Sequence, residues 1–262
     1  MDLPVPVKYS LDEILSQLTL TGPQVLPRKV LFWGEGAGEI SSYITGWMAG
    51  QGIDVVVLDG ANRFDPYVVS SFAKKVLIPP ESLLKRIRIA RAFTCYQMAT
   101  LVEEKLIALL KQEEAINQTH KPWVILLGPI TTFLDEDVPE RETRPLFERM
   151  LRKMEEMAMD RVSFFLFQPN PPFTKVGMSR NDSRTDTRNR GGAGGFVNSK
   201  RAFLARRLFQ VSTLVWRIHW EEEGTKLVLE KELKLDTIGN CKLQNGKCKF
   251  EGEGLKCLSV SR

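Results

Sequence analysis

Residues 29–41 read KVLFWGEGAGEIS. Lys29 to Trp33 is a short apolar strand, Gly34 to Gly38 a glycine-rich turn, and Ile40 to Ala49 has helical spacing. Strand, turn and helix make one βα unit, and the pattern recurs downstream. Asp54 to Asp59 is a second strand and Pro66 opens a helix to Lys75. A weak strand at Ile87 to Ile89 precedes a long helix from Thr94 to about Gln118. Trp123 to Leu127 is followed by an acidic, Pro-bearing loop at Asp135 to Pro139 and a helix from Arg144 to Met159. Arg161 to Gln168 is the fourth strong strand. Continuous apolar runs of this kind belong to strands buried on both faces of a parallel sheet, so Val55 to Leu58 and Val124 to Leu127 are expected innermost.

Outside this repeat the pattern changes. Leu11 to Leu20 reads as an amphipathic helix with Ser10 as N-cap, ended by Gly22 and Pro23. Pro169 to Asn198 is rich in Pro, Gly, Ser, Asn and Arg and reads as a flexible basic loop. Ala202 to Leu208, Ser212 to Trp220 and Lys226 to Leu233 read as strands, the last two joined at Glu221 to Gly224 in an antiparallel ribbon. The expected fold is α/β: a three-layer sandwich with a mainly parallel, twisted central sheet, helices on both faces and an antiparallel edge ribbon. One domain spans 1–238, with 1–24 as lead-in and 169–198 as the loop, and 239–262 is a polar tail.

The chain has 262 residues, 43% hydrophobic and 26% charged, the balance of a globular protein rather than of a disordered, collagenous or coiled-coil chain. No apolar run reaches the roughly 20 residues of a membrane span, and MDLPVPVKYSLDEIL has no basic region leading into an apolar stretch, so the reading is cytoplasmic, away from membranes. A net charge of +5, from 37 basic and 32 acidic residues, is too mild to name a partner. Cys95, Cys241, Cys248 and Cys257 match no zinc spacing, and His120 and His219 lie far from them, so no metal is expected.

Ligands of parallel sheets sit beyond the carboxyl ends of the strands, which singles out the glycine turn. A phosphate-binding loop of the form G-x-x-x-x-G-K-[ST] uses inward-turned N–H groups, a Lys point charge and a hydroxyl on Mg²⁺. Counted from Gly34, the chain keeps the hydroxyl at Ser41 but has Glu39 at the second Gly and Ile40 at the Lys. Counted from Gly38, Glu39 takes the Lys position. A carboxylate there repels a triphosphate by about 1 to 4 kcal/mol at ~4 Å. Gly34, Gly36, Gly38 and Ser41 are therefore a degenerate nucleotide site, left with weak adenine-nucleotide binding through backbone N–H groups and no cofactor of its own.

Charge concentrates elsewhere. Between Pro169 and Arg207 lie Lys175, Arg180, Arg184, Arg188, Arg190, Lys200, Arg201, Arg206 and Arg207, against only Asp182 and Asp186. With Phe173 and Phe196 available to stack, this stretch has the make-up of a single-strand nucleic-acid binder. The competing reading is a solvated basic loop, ordered only by an acidic partner.

Several segments in order resemble the RecA/RadA recombinase superfamily. Val55 to Pro66 is similar to that family's I-D-T-E-G-T-F-R-P strand and turn, through Asp59, Phe64 and Pro66. Leu84 to Gln97 resembles its N-I-x-V-A-R-A stretch, through Ile87, Ala90, Arg91, Ala92 and Gln97. Phe165 to Gln168 resembles the strand before the second DNA-binding loop, and Gly191 and Gly192 a glycine pair near that loop's end. The likeness spans about residues 25 to 235. It implies a RecA-like fold and DNA binding by the basic loop. It also implies what is missing: Ala61 stands where the family has its catalytic Glu, Gly128 where it has the metal-holding Asp, and the loop Lys is absent.

The function expected from these residues is that of a pseudo-ATPase: a catalytically inactive RecA-like protein that binds DNA, single-stranded foremost, as an accessory factor in recombination or repair. Its binding residues would be Lys175, Arg180, Arg184, Arg188, Arg190, Lys200 and Arg201. Alternatives are a protein-interaction scaffold beside an active RecA-family paralogue or a second copy of itself, and a nucleotide-binding protein with residual turnover by an unrecognised set of residues. Asp59 is read as a turn-capping residue, His219 as a sheet-face residue, Cys95 as buried packing, and Glu103, Glu104, Lys105, Glu155 and Glu156 as solvated helix faces.

Overall fold

The computed structural model describes residues 8–11, 13–15, 29–116, 121–169, 194–221, 224–232, 234–235 and 241–242. Ten strands are described: β1 (Lys8–Ser10), β2 (Lys29–Gly34), β3 (Val55–Asp59), β4 (Ile87–Arg91), β5 (Trp123–Leu127), β6 (Phe164–Pro169), β7 (Leu214–Glu221), β8 (Gly224–Glu232), β9 (Lys234–Leu235) and β10 (Cys241–Lys242). Eight form one sheet in the order β1-β8-β7-β2-β6-β5-β3-β4, and β9 and β10 pair separately. The six strands from β7 to β4 are mutually parallel, while β8 runs antiparallel to both β7 and β1. The α/β sheet and its antiparallel ribbon are thus as the sequence implied. β3 and β5 lie inside the sheet, but β2 and β6 hold its centre and β4 stands outside β3.

Helices cover both faces. α1 (Ala37–Gly50), α2 (Pro66–Lys75) and α3 (Pro80–Leu84) lie on one side. On the other are α4 (Cys95–Thr100), a π turn at Leu101–Lys105, α5 (Leu106–Ile116), α6 (Glu140–Met159) and α7 (Gly194–Val211). Alternate residues of the central strands feed the two layers: Phe165 and Phe167 pack under α1, Phe164 and Leu166 under α6. This two-sided burial is why β3, β5 and β6 read as unbroken apolar runs. Phe32 stacks on Phe167 at 5.0 Å, and Trp123 on Phe165 at 5.1 Å.

Local signals explain the helix starts. The Asp65 side chain accepts from Tyr67 N–H at 2.8 Å and Pro66 sets the first turn of α2. Thr94 and Gln97 form a reciprocal capping box on α4. Cys95 is buried, as its apolar spacing implied.

Three readings need correction. Ala202 to Leu208 is not a strand but part of α7. Leu204, Ala205, Leu208 and Val211 are buried while Arg206 and Gln210 are exposed, a helical period that a crossover between the parallel strands β6 and β7 requires. Glu103 is not on a solvated face: in the π turn it lies against α6, where Arg149 Nε donates to its Oε2 at 2.7 Å, and its other oxygen is buried without a hydrogen bond. Lys8 to Ser10 extends the sheet along β8 before residue 11, where the sequence showed only a helix N-cap. His120, the lead-in at 16–24, most of the basic loop (170–193) and the tail apart from 241–242 lie outside the described residues.

Lys231, in β8, fastens this frame. Its Nζ donates to the carbonyls of Phe209, Gln210 and Ser212 at 2.6 to 2.9 Å, closing the C-terminal end of α7 onto the sheet. Lys231→Met keeps the apolar stem and deletes the donor. It should lower stability by about 2 to 3 kcal/mol in urea unfolding, the usual range for buried charge-assisted bonds left unmade.

Candidate functional site at the carboxyl edge of the sheet

The parallel strands end together at Gly34, Pro169, Leu127, Asp59 and Arg91. Here the turn after β2 is only Glu35 and Gly36, with Gly36 in the left-handed region (φ 79) as the N-cap of α1. Five of the eight positions of a phosphate loop counted from Gly34 are already inside this helix, so no extended cradle forms. Gly34 and Gly38 have a packing reason instead. A Cβ on Gly34 would lie 2.9 Å from the Ile218 carbonyl oxygen of β7, and one on Gly38 2.9 Å from the Arg63 Cβ. Ser41 is fully buried, and its hydroxyl donates back to the Gly38 carbonyl at 2.7 Å. Gly34, Gly36, Gly38 and Ser41 are therefore brought together, but as the packed start of a helix.

The end of β3 is organised by Asp59, which is fully buried. Its Oδ1 accepts from the N–H of Ala61 and Arg63, and its Oδ2 from that of Phe64 at 3.0 Å, with Arg91 Nε 3.7 Å away. This is the turn-capping role read from the sequence. The turn it holds closes the crevice between β3 and β5. Gly60 N–H donates to the Leu127 carbonyl at 2.8 Å, and Gly128 N–H to that of Phe167 at 2.7 Å. Gly128 has φ +67, and a Cβ on it would fall 2.6 Å from the Ala61 Cβ and 2.7 Å from the Thr131 hydroxyl. The two positions that the resemblance pairs with a Glu and an Asp thus lie against each other, and a side chain at 128 would run into Ala61 and Thr131. Gln168 adds a further tie, accepting from Ile130 N–H at 3.2 Å and donating to the Pro169 carbonyl.

The basic residues are divided. Lys175, Arg180, Arg184, Arg188 and Arg190 lie outside the described residues, and Arg201 is placed in α7 by its backbone alone. Lys200 is only 7% exposed, and its Nζ donates to the carbonyls of Asp135 and Val138. It anchors α7 to the loop after β5 and leaves the set of solvated cations. Arg207 grips Glu148 through two parallel bonds and holds that carboxyl below its ordinary range. Because β6 ends beside Gly34 and α7 runs back antiparallel to deliver β7 beside β2, segment 170–193 both leaves and re-enters at the carboxyl edge. The loop's expected end also shifts, since α7 begins at Gly194.

One cluster at this edge was not read from the sequence. Trp33 Nε1 donates to Glu230 Oε2 at 2.9 Å, and Arg217 Nε lies 3.1 Å from Glu230 Oε1, close enough to pair but without hydrogen-bond alignment. A register shift between Val215 and Trp216 puts Glu230 out of step in β8. A bulge has no residue signature here, so alternation alone gave no warning of an inward carboxylate. Burial pushes the Glu230 carboxyl up, against the opposing pull of Arg217 and Trp33.

Among the described residues no group of His, Cys, Asp and Glu is arranged to hold a metal, and no helix is long and apolar enough to cross a membrane. No protein-family model matches the chain, and no curated protein matches it in sequence.

Two outcomes follow from this geometry. Gly128→Ala should cost about 2 to 4 kcal/mol by urea unfolding, from forcing a side chain into the left-handed region and into the Ala61 contact. For Glu230 the raised value means that ionisation opposes folding: its contribution is full below the unfolded value and is lost as pH rises through the folded one. Glu230→Gln should therefore lose less stability than the parent when pH is raised from the ordinary glutamate range to neutrality, measured by urea midpoints across that window.

Proposed function

We propose that this chain is a RecA-like protein without ATP hydrolysis that binds nucleic acid, single-stranded DNA foremost, through segment 170–193. The observation that carries the reading is the contrast at one edge of the sheet. The strand ends where phosphoryl-transfer groups would act bring Gly128 tightly against Ala61 and Thr131, while a basic stretch of the chain leaves and re-enters at that same edge. Five cations in 170–193 face only Asp182 and Asp186, so closely spaced arginines repel one another until phosphates neutralise them. A role as an accessory factor in recombination or repair follows from the resemblance in segments 55–66, 84–97 and 165–168.

With Lys200 committed to two carbonyls, the binding set narrows to Lys175, Arg180, Arg184, Arg188, Arg190 and Arg201. Nucleotide binding, if retained, would use only the free N–H groups at the start of α1, beside Glu35 and Glu39, both exposed; that arrangement favours no polyphosphate.

Filter binding of oligothymidine and duplex DNA at several salt concentrations tests the first part. Replacing Arg184, Arg188 and Arg190 together with Ala should weaken single-strand binding and make the log affinity against log salt slope shallower by about 0.7 per lost contact. Unchanged affinity and slope would remove the loop as the binding surface and favour the scaffold reading. Phosphate release from ATP should stay at background; turnover above about 0.01 per second that Ser41→Ala abolishes would sink the pseudo-ATPase reading.

A further inference from the structure

A second opening lies at the far end of the sheet from the candidate site. Between the amino ends of β3 and β4, the last turn of α5 and Pro122 just before β5, there is a cavity of about 190 Å³. Ligands of parallel sheets gather at the carboxyl ends of the strands, so the sequence pattern gave no reason to look here. Three cations line it, Lys85, Arg86 and Arg88, against two acids, Asp54 and Glu113.

Those cations are only partly engaged. Arg86 Nη1 donates to the Gly52 carbonyl and to Asp54 Oδ1, both at 3.0 Å, and Arg88 Nη1 donates to Glu113 Oε1. Neither pair is the two-bond fork that satisfies a guanidinium. Among the described residues the Nη2 and Nε groups of both arginines have no hydrogen-bond partner, and the two side chains keep 45% and 52% exposure. Lys85 is exposed and pairs with no described acid.

The lining selects the class of ligand. Five charged groups disfavour an apolar molecule, and the excess of positive charge disfavours a cation. A carboxylate brings one charge and two coplanar oxygens, no more than Asp54 and Glu113 already offer. A phosphomonoester brings about −1.5 to −2 and three terminal oxygens that point in different directions. It can therefore outbid the resident acids and meet two guanidinium edges and an ammonium at once. An apolar cavity of about 150 Å³ takes benzene, so 190 Å³ has room for the phosphate and a few atoms beyond it.

We propose that this cavity binds a small phosphomonoester, with its phosphate held by Lys85, Arg86 and Arg88 and its organic part against Val56 and Pro122. The site goes beyond the nucleic-acid reading and stands without it, because it lies at the opposite ends of β3 and β4 from Asp59 and Arg91.

The test is calorimetry on the full chain at low salt with glycerol 3-phosphate, and with dimethyl phosphate, a singly charged diester, as control. Glycerol 3-phosphate should bind once per chain and shift the amide resonances of residues 54–56 and 85–88; the diester should do neither. Two substitutions of exposed side chains should move the affinity in opposite directions. Lys85→Met removes a donor and should weaken binding about tenfold. Asp54→Asn removes the charge that competes for Arg86 and should tighten binding at least about threefold. Both should keep a urea midpoint near that of the parent, since exposed ion pairs contribute little. No saturable binding by the parent overturns the proposal, as does either variant binding like the parent. The source of the phosphate is read by competition with oligothymidine in the Arg184→Ala/Arg188→Ala/Arg190→Ala variant. Competition by the 5′-phosphorylated strand alone places the ligand at a nucleic-acid end, and competition by neither strand makes it a free small molecule. Equal competition with and without the 5′-phosphate overturns the proposal, because the cavity would then be reading backbone diesters.

Discussion

Much of this structure hangs on a single buried carboxylate. Removing an ionised Asp59 from water is costly unless its oxygens are filled, and three backbone N–H groups and a nearby guanidinium fill them. To supply those donors, residues 60–64 must curl back over the end of β3. The curl presses Arg63 onto Gly38 and Ala61 onto Gly128, and Asp65 N–H then reaches the Ser42 hydroxyl at 3.0 Å. The tight entry to α1, the closed crevice and the start of α2 are consequences of one loop satisfying one charge. The Arg91 guanidinium that completes the cage comes from the end of β4, the strand paired with β3.

The same constraint separates binding from catalysis. A hydrolytic site needs a carboxylate, a metal and a water in the space between neighbouring strand ends, with room for each. Here that space is taken by a methyl group against a glycine whose backbone is in the left-handed region. Binding through a long segment would make no such demand on the strand ends, so the proposed pseudo-ATPase and nucleic-acid readings are compatible in one fold.

How much of this was legible beforehand follows from the range of the interactions. β3, β5, β6 and α2 were readable because their signals are local: apolar runs buried on two sides, and an Asp-Pro start. α7 was misread because Ala202 to Leu208 is apolar enough for a strand, and only the need to cross from β6 to a parallel β7 decides for a helix. Strand order, which sets β4 rather than β3 at the edge, arises from pairings across the whole chain and has no local trace. At the site, Gly34, Gly36, Gly38 and Ser41 were found by pattern, yet their purpose depends on Ile218 and Arg63, far away in sequence. Lys200 was counted among free cations because charge can be read from a sequence and the carbonyls of Asp135 and Val138 cannot.

The edges of the sheet show a final asymmetry. At the β8 end, the short strand β1 shields part of the edge, and Tyr9 meets Trp216 edge-on at 5.3 Å. At the β4 end no described element plays that part. A parallel sheet buried on both faces needs helices above and below, but nothing in that requirement covers its last strand. The arginines there limit self-association by like-charge repulsion, a brake on identical edges that does not act against an acidic strand. Charge on an edge therefore works selectively: the pattern that opposes pairing of two copies of β4 sets no such penalty on a strand of opposite sign.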